Sequence, residues 1–170
     1  MSFDHHQRLG YWCQRISSAL RCRLEERTQK LGLTCTAAIV LLALQRHGPA
    51  TLVELAHWLE HAHPSVLRQI DVLEGAGFVR RVPHERDRRM KIVQLTDKGK
   101  KILPAIHRAM RAMQAEALAG FREAEINKFM EQFHRVAANL GLQEWPEDAP
   151  ALAMRSRGKR SPAQRKQGKP

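Results

Sequence analysis

One change of pattern constrains this chain more than any other feature. At Gly75-Ala76-Gly77 a succession of short helical segments gives way to two β-rich runs. Upstream, Thr34 can cap a helix whose apolar residues Ile39, Leu42 and Leu44 reach His47 before Gly48-Pro49 ends it. Thr51-Leu52-Val53-Glu54 then has the capping-box pattern, in which a threonine hydroxyl and a glutamate side chain satisfy free amides at a helix start. The short helix it opens carries Leu52, Leu55 and Leu59, and His61-Ala62-His63-Pro64 interrupts it. Pro64 suits the first position of the next helix, where its missing N–H costs nothing, and Val66, Ile70 and Leu73 are expected to face inward. Beyond the glycines, Phe78-Val79-Arg80-Arg81-Val82 and Lys91-Ile92-Val93-Gln94-Leu95 read as strands flanking Pro83 to Met90, a hairpin with a long charged tip. Helix, turn, helix and hairpin in that order predict a winged helix.

Helical segments flank this unit on both sides. From Gln7 to Lys30 the apolar positions Leu9, Trp12, Ile16, Leu20 and Leu24 recur every three or four residues, and Gly32 fits the stop. Thr96 can cap a helix running through Lys98, Ile102, Ile106, Met110 and Met113, and another carries Ile126, Phe129, Phe133, Val136 and Leu140 as far as Gly141. A body of this size cannot easily bury the last two stripes alone, so they read as a dimerisation layer packed with the first helix. The predicted class is mainly α with a small β-hairpin wing: a winged helix-turn-helix unit over residues 34–95 and a helical dimerisation region over 5–31 and 96–141. The chain shows no internal repeat.

Charge divides the chain further. The 170 residues carry 29 Lys and Arg against 17 Asp and Glu, a formal net charge of +12. Seven of those charges, Arg155, Arg157, Lys159, Arg160, Arg165, Lys166 and Lys169, fall in the last twenty residues with no acid among them. Residues 151–170 therefore read as a basic disordered tail and residues 1–150 as the folded domain. A hydrophobic content of 43% is ordinary for a globular chain and excludes a wholly disordered one. No apolar run approaches the ~18 residues of a membrane span, and Met1 to His6 lacks the basic and apolar regions of a secretory signal. The expectation is a soluble cytoplasmic protein with no membrane partner.

Between Arg80 and Lys91, six basic residues stand against Glu85 and Asp87, a local balance of +4 on one hairpin. Arginines at a hairpin tip can enter a minor groove, and Asp87 can hold a neighbouring guanidinium in a fixed orientation. An isolated basic hairpin is usually a solvated loop, but this one directly follows a helix-turn-helix. Arg86, Asp87, Arg88 and Arg89 are the wing candidates. The helix from Pro64 to Glu74 is the candidate for the major groove, with Ser65, Arg68 and Gln69 projecting outward near its N-terminal half. Arg68 could read guanine or bind phosphate, Gln69 could pair with adenine, and Ser65 suits a phosphate.

The order of Leu33-Thr34, Thr51-Leu52-Val53-Glu54-Leu55-Ala56, Val66-x-Arg68-x-Ile70-Asp71-x-Leu73-Glu74-x-x-Gly77-Phe78-Val79-x-Arg81, Asp87-Arg88-Arg89 and Val93-x-Leu95-Thr96-x-x-Gly99 resembles the MarR family of bacterial transcriptional regulators across residues 7–141. The resemblance implies a homodimer of winged-helix subunits binding pseudo-palindromic promoter DNA, commonly a nucleoid-associated repressor released by a phenolic ligand or by thiol oxidation. It implies Asp87 and Arg89 at the minor groove and Arg68 as the recognition-helix arginine. The sequence departs from the family at Leu67, where Thr or Ser is common, and at Pro64. Ligands in the family usually sit where the first, second and fifth helices meet, which makes Trp12, Arg15, His47 and His107 candidate lining residues. Cys13 falls in the region where peroxide-sensing members carry a reactive cysteine.

Other chemistry is thin. Cys22 lies between Arg21 and Arg23, neighbours that favour a thiolate, and is the second redox candidate. Cys13 and Cys22 cannot bond to each other within one helix, since nine residues put them on opposite faces about 13 Å apart. Three cysteines with no C-x-x-C spacing give no zinc or thioredoxin-like motif. His57-Trp58-Leu59-Glu60-His61 matches H-x-x-E-H, the inverted zincin pattern, but Pro64 follows almost at once and no third ligand is identifiable. No nucleophile elbow or phosphate loop is present. The expectation is a regulator rather than an enzyme, without cofactor or metal, acting on double-stranded DNA. The alternative is a non-regulatory basic protein that packages nucleic acid chiefly through its tail, and a zinc-binding protein or hydrolase through His57, Glu60 and His61 is more remote.

Overall fold

The computed structural model describes residues 9–59, 63–83 and 90–142. In chain order these form α1 (Leu9–Gln29), α2 (Cys35–His47), β1 (Ala50–Thr51), α3 (Leu52–Trp58), α4 (His63–Gly75), β2 (Val79–Pro83), β3 (Lys91–Leu95), α5 (Asp97–Ala117) and α6 (Glu123–Asn139). The 151–170 tail and the wing tip at 84–89 lie outside the described residues.

Local chemistry starts the helices where the sequence places them. Thr34 accepts from the Ala37 N–H at the head of α2, and Thr51 with Glu54 forms both bonds of the capping box at α3. At α5, Thr96 accepts from the Gly99 N–H and also reaches back to the Gly77 and Phe78 carbonyls. Lys98 adds a bond to the Ala76 carbonyl at 2.7 Å and lies over the Phe78 ring. The first turn of α5 is thus tied to the turn that leads out of α4. Gly77, at φ +76, supplies the left-handed residue that lets the Phe78 N–H reach the Leu73 carbonyl and turn the chain into β2.

The core forms around α2. Cys35, Ala37, Ala38, Ile39, Val40, Leu41, Leu42, Ala43 and Leu44 are all buried, against α1, α3, α4, α5 and β3. Leu24 of α1, Leu55 of α3, Val66, Ile70 and Leu73 of α4, and Val79 and Val93 of the sheet close on it. Burial of this apolar surface is the main stabilising term. The sheet has three strands in the order β1-β3-β2, all antiparallel, with Val79 opposite Leu95 and Pro83 opposite Lys91. The sequence reading gave only the hairpin. The third strand is two residues long, and its pairing of Ala50 with Val93 is visible only once β3 is in place.

Two other expectations change. The α5 stripe is not left uncovered, because Leu103, Ile106, Met110 and Met113 are buried within the chain where α5 meets α1 and α2. Of the α1 stripe only Leu24 is buried and Leu20 partly so, while Leu9, Trp12 and Ile16 are exposed. Arg23 and Arg27 instead hold the C-terminal half of α1 to Glu116 on α5. α6 buries none of its residues, and Phe129, Met130, Phe133, Val136 and Leu140 face outward.

Candidate nucleic-acid interface

The helix α4 is seated by Val66, Ile70 and Leu73, each at most 1% exposed, so the opposite side of the helix faces solvent. Ser65 and Arg68 lie on that open side. Gln69 is half-buried because it is turned toward α2, where its Oε1 accepts from the Thr34 hydroxyl at 2.9 Å. The residue that caps α2 therefore also holds Gln69, which was expected to project outward. Nothing in the local sequence signals this, because the partners are 35 residues apart.

The base of the wing is fixed to the same helix. Arg81 on β2 reaches Asp71 and Glu74 on α4, and its backbone N–H also donates to Glu74. Burial works against the Arg81 charge, but the hydrogen bonds and charges of Asp71 and Glu74 outweigh it, and the guanidinium pKa is raised. On the neighbouring rung Gln94 faces Arg80, and with the amide oriented as its surroundings require, its oxygen accepts from Arg80 Nε at 2.7 Å. Arg86, Asp87, Arg88 and Arg89 lie outside the described residues, but the strands that carry them converge below, Pro83 opposite Lys91. Sequence reasoning did not single out Arg81, Asp71 or Glu74 as a cluster. Their opposite charges flanking the Gly75-Ala76-Gly77 turn were the available signal.

The four candidate lining residues make separate contacts. His47 stacks on Trp58 with ring centroids 4.4 Å apart, and a ring nitrogen of His107 is 2.8 Å from Gln45 Oε1. Trp12 packs edge-on against Tyr11, and Arg15 lies over the Tyr11 ring. Arg15 lines an open cavity of about 510 Å³ with Tyr11, Gln14, Ser18 and Ala19 on a single helix, α1.

The cysteines are all free thiols: Cys13 half-buried, Cys22 exposed, Cys35 buried. The Cys22 thiol lies 3.8 Å from a Glu26 carboxylate oxygen. Cys35, which is not one of the two named redox candidates, lines a cavity of about 430 Å³ together with Arg21, Cys22 and Glu25. Its backbone N–H donates to Glu25 at 2.6 Å. Burial first, then the Glu25 charge, pushes its thiol up to about 11, with Arg21 acting the other way. His57 is exposed on α3, and Glu60 and His61 lie outside the described residues. Among the described residues no group of three or more His, Cys, Asp or Glu is placed to hold a metal ion. No described helix is long and apolar enough to cross a membrane.

Comparison with known proteins follows the same architecture. A sequence model of the MarR family matches residues 31–90, from just after α1 to the residue before β3. The uncharacterized HTH-type transcriptional regulator YybA of Bacillus subtilis (strain 168) is 28% identical over 110 residues, 65% of this chain and 73% of that protein. The crystal structure of the transcriptional regulator PA3341 is 33% identical, with a TM-score of 0.67 over 78% of this chain and 97% of that one. A cysteine-to-serine mutant of MarR from E. coli, solved in complex with operator DNA, superposes with a TM-score of 0.70 over 80% of this chain and 98% of that one. At 23% identity that last likeness speaks to the fold alone.

Proposed function

Because this chain belongs to the MarR family of transcriptional regulators, we propose that it is a repressor that binds pseudo-palindromic promoter DNA as a homodimer. The observation that carries the reading is α4, whose apolar side is sunk into the core while Ser65 and Arg68 stand open to solvent. Two such helices about 34 Å apart would enter successive major grooves, with the wing residues Arg86, Asp87, Arg88 and Arg89 over the flanking minor grooves. The operator-bound E. coli MarR of the same fold supports this placement. The open apolar face of α6, with Leu9, Trp12 and Ile16 on α1, is the surface a second copy would cover.

Release would come from an effector that alters the spacing of the two reading heads, since the duplex fixes the half-sites. An aromatic ligand near Trp12, Arg15, His47 and His107 is one source of that signal, and oxidation of Cys13 or Cys22 is the other. Family membership favours regulation over packaging of nucleic acid by the basic tail and over hydrolysis.

Mobility shifts on an operator selected from genomic fragments test the proposal. Arg68→Ala is expected to cost about 1–3 kcal/mol and relax specificity, whereas Arg89→Ala weakens binding across all sequences. Removing residues 151–170 should leave operator preference in place and reduce only the salt-sensitive part of the affinity. Loss of nearly all binding on removal of the tail would favour the packaging reading instead.

A further inference from the structure

Several hydrogen-bond acceptors on and beside α4 are already engaged. Thr34 Oγ1 accepts from the Ala37 N–H at 3.0 Å and gives its one hydrogen to Gln69 Oε1 at 2.9 Å. In that arrangement the Gln69 oxygen faces Thr34, and its NH2 group is turned away. Further along α4, Asp71 Oδ1 and both Glu74 carboxylate oxygens accept from Arg81. Besides the Ser65 hydroxyl, the open side of α4 presents a donor and apolar surface. Arg68 lies nearly opposite the buried Val66, Ile70 and Leu73 at about 100° of turn per residue, and a guanidinium only donates. Around it are two apolar side chains, Leu67 at 41% and Val72 at 58% exposed, positions where water contact is unfavourable unless something covers them.

Resting on the reading of α4 as a major-groove helix, we infer that at the positions facing Arg68 and Gln69 it selects guanine and thymine on the strand it faces. Guanine O6 and N7 and thymine O4 are acceptors that suit the donors of Arg68 and Gln69, and the thymine C5-methyl is an apolar group for Leu67 or Val72. The exocyclic amines of adenine and cytosine need an acceptor, and the Gln69 oxygen that could supply one is turned to the Thr34 hydroxyl. Thr34 is thus a positioning residue, which sets the polarity of Gln69 without touching DNA. The adenine pairing that Gln69 suggests in isolation is replaced by a donor-only contact.

The test is selection from randomised duplexes with the full-length protein, followed by base analogues in the selected site. At the positions whose preference disappears in Arg68→Ala and Gln69→Ala, guanine or thymine is expected. Replacing such a guanine by 7-deazaguanine, which lacks N7, should weaken binding about tenfold. Deoxyuridine in place of thymine should weaken it severalfold in the wild type and have no effect in Leu67→Ala or in Val72→Ala. Thr34→Asp keeps an N-cap acceptor but has no hydrogen to give, so the amide should turn over and present its oxygen. The base chosen at the Gln69 position should then change to adenine or cytosine. Adenine or cytosine there in the wild type, or indifference to both analogues, overturns the inference while leaving the reading of α4 intact. Failure to enrich any sequence overturns that reading as well.

Discussion

Arg81 and Glu74 are joined twice: the Arg81 backbone N–H donates to Glu74 Oε1 at 2.9 Å, and its guanidinium donates to Glu74 Oε2 at 2.5 Å. The guanidinium also reaches Asp71 one turn earlier. The strand that leads into the wing and the helix proposed to enter the major groove are therefore held as one body across the turn between them. Carboxylates on a DNA-facing helix would repel phosphates, and the same arginine offsets both.

Replacing this arginine by methionine keeps the stem and removes the charge. Arg81→Met should lower stability by about 1–2 kcal/mol, since Glu74 and Asp71 stay partly solvated and lose only their partner. Urea unfolding measures the loss. Affinity for a selected operator should fall further than stability alone explains, and Arg81→Lys should recover part of it.

Gly99 is the tightest glycine in the fold. A Cβ there would lie 2.1 Å from the Phe78 carbonyl oxygen and 3.1 Å from its carbon, and that oxygen already accepts from the Thr96 N–H. Gly99→Ala must push α5 off the turn after α4, at a cost of about 3 kcal/mol or more, which lowers Tm by roughly 6–12 °C. Gly75→Ala, where a Cβ meets nothing within 4 Å, should leave Tm nearly unchanged.

Cys35 predicts a pH dependence with a definite sign. Its thiol is raised from 9.0 to about 11 by burial and by Glu25. Between those values the unfolded chain loses the proton and the folded one keeps it, so stability falls as pH rises from about 9 toward 11. Thermal melts across that window should decline more steeply in the wild type than in Cys35→Ala. Iodoacetamide at neutral pH should label Cys22 in the native protein and Cys35 only after unfolding.

The outward face of α6 predicts the assembly state. Phe129 and Phe133 stack with centroids 5.1 Å apart on a helix that buries none of its residues. If a second copy covers them, Phe129→Asp with Phe133→Asp should weaken the dimer by at least about 3 kcal/mol, more than a hundredfold, and sedimentation equilibrium will show a monomer. Operator affinity should fall with it, while the far-UV circular dichroism of the winged helix is retained.

The helix starts were legible because capping is local: Thr34, Thr51 and Thr96 each bond an amide three residues on. The hairpin was legible for the same reason, its strands lying close in sequence. What escaped was set by contacts at long separation. Thr34 meets Gln69, Ala50 pairs with Val93, and α5 buries a stripe whose burial depends on α1 and α2 arriving beside it. The exposure of Leu9, Trp12 and Ile16 has the same origin, since periodicity specifies that a helix has an apolar face but not which surface will meet it.

The near-complete burial of α2 has a consequence for how the molecule opens. A helix with almost no solvent side cannot release one neighbour without uncovering apolar surface that another neighbour also covers, so partial opening there costs nearly as much as losing the whole structure. Amide hydrogens from Ala38 to Leu44 are then expected to exchange last, all at one common rate, and α6 amides first. If two such subunits read one operator, the burial of α2 predicts that each reading head moves as an intact unit.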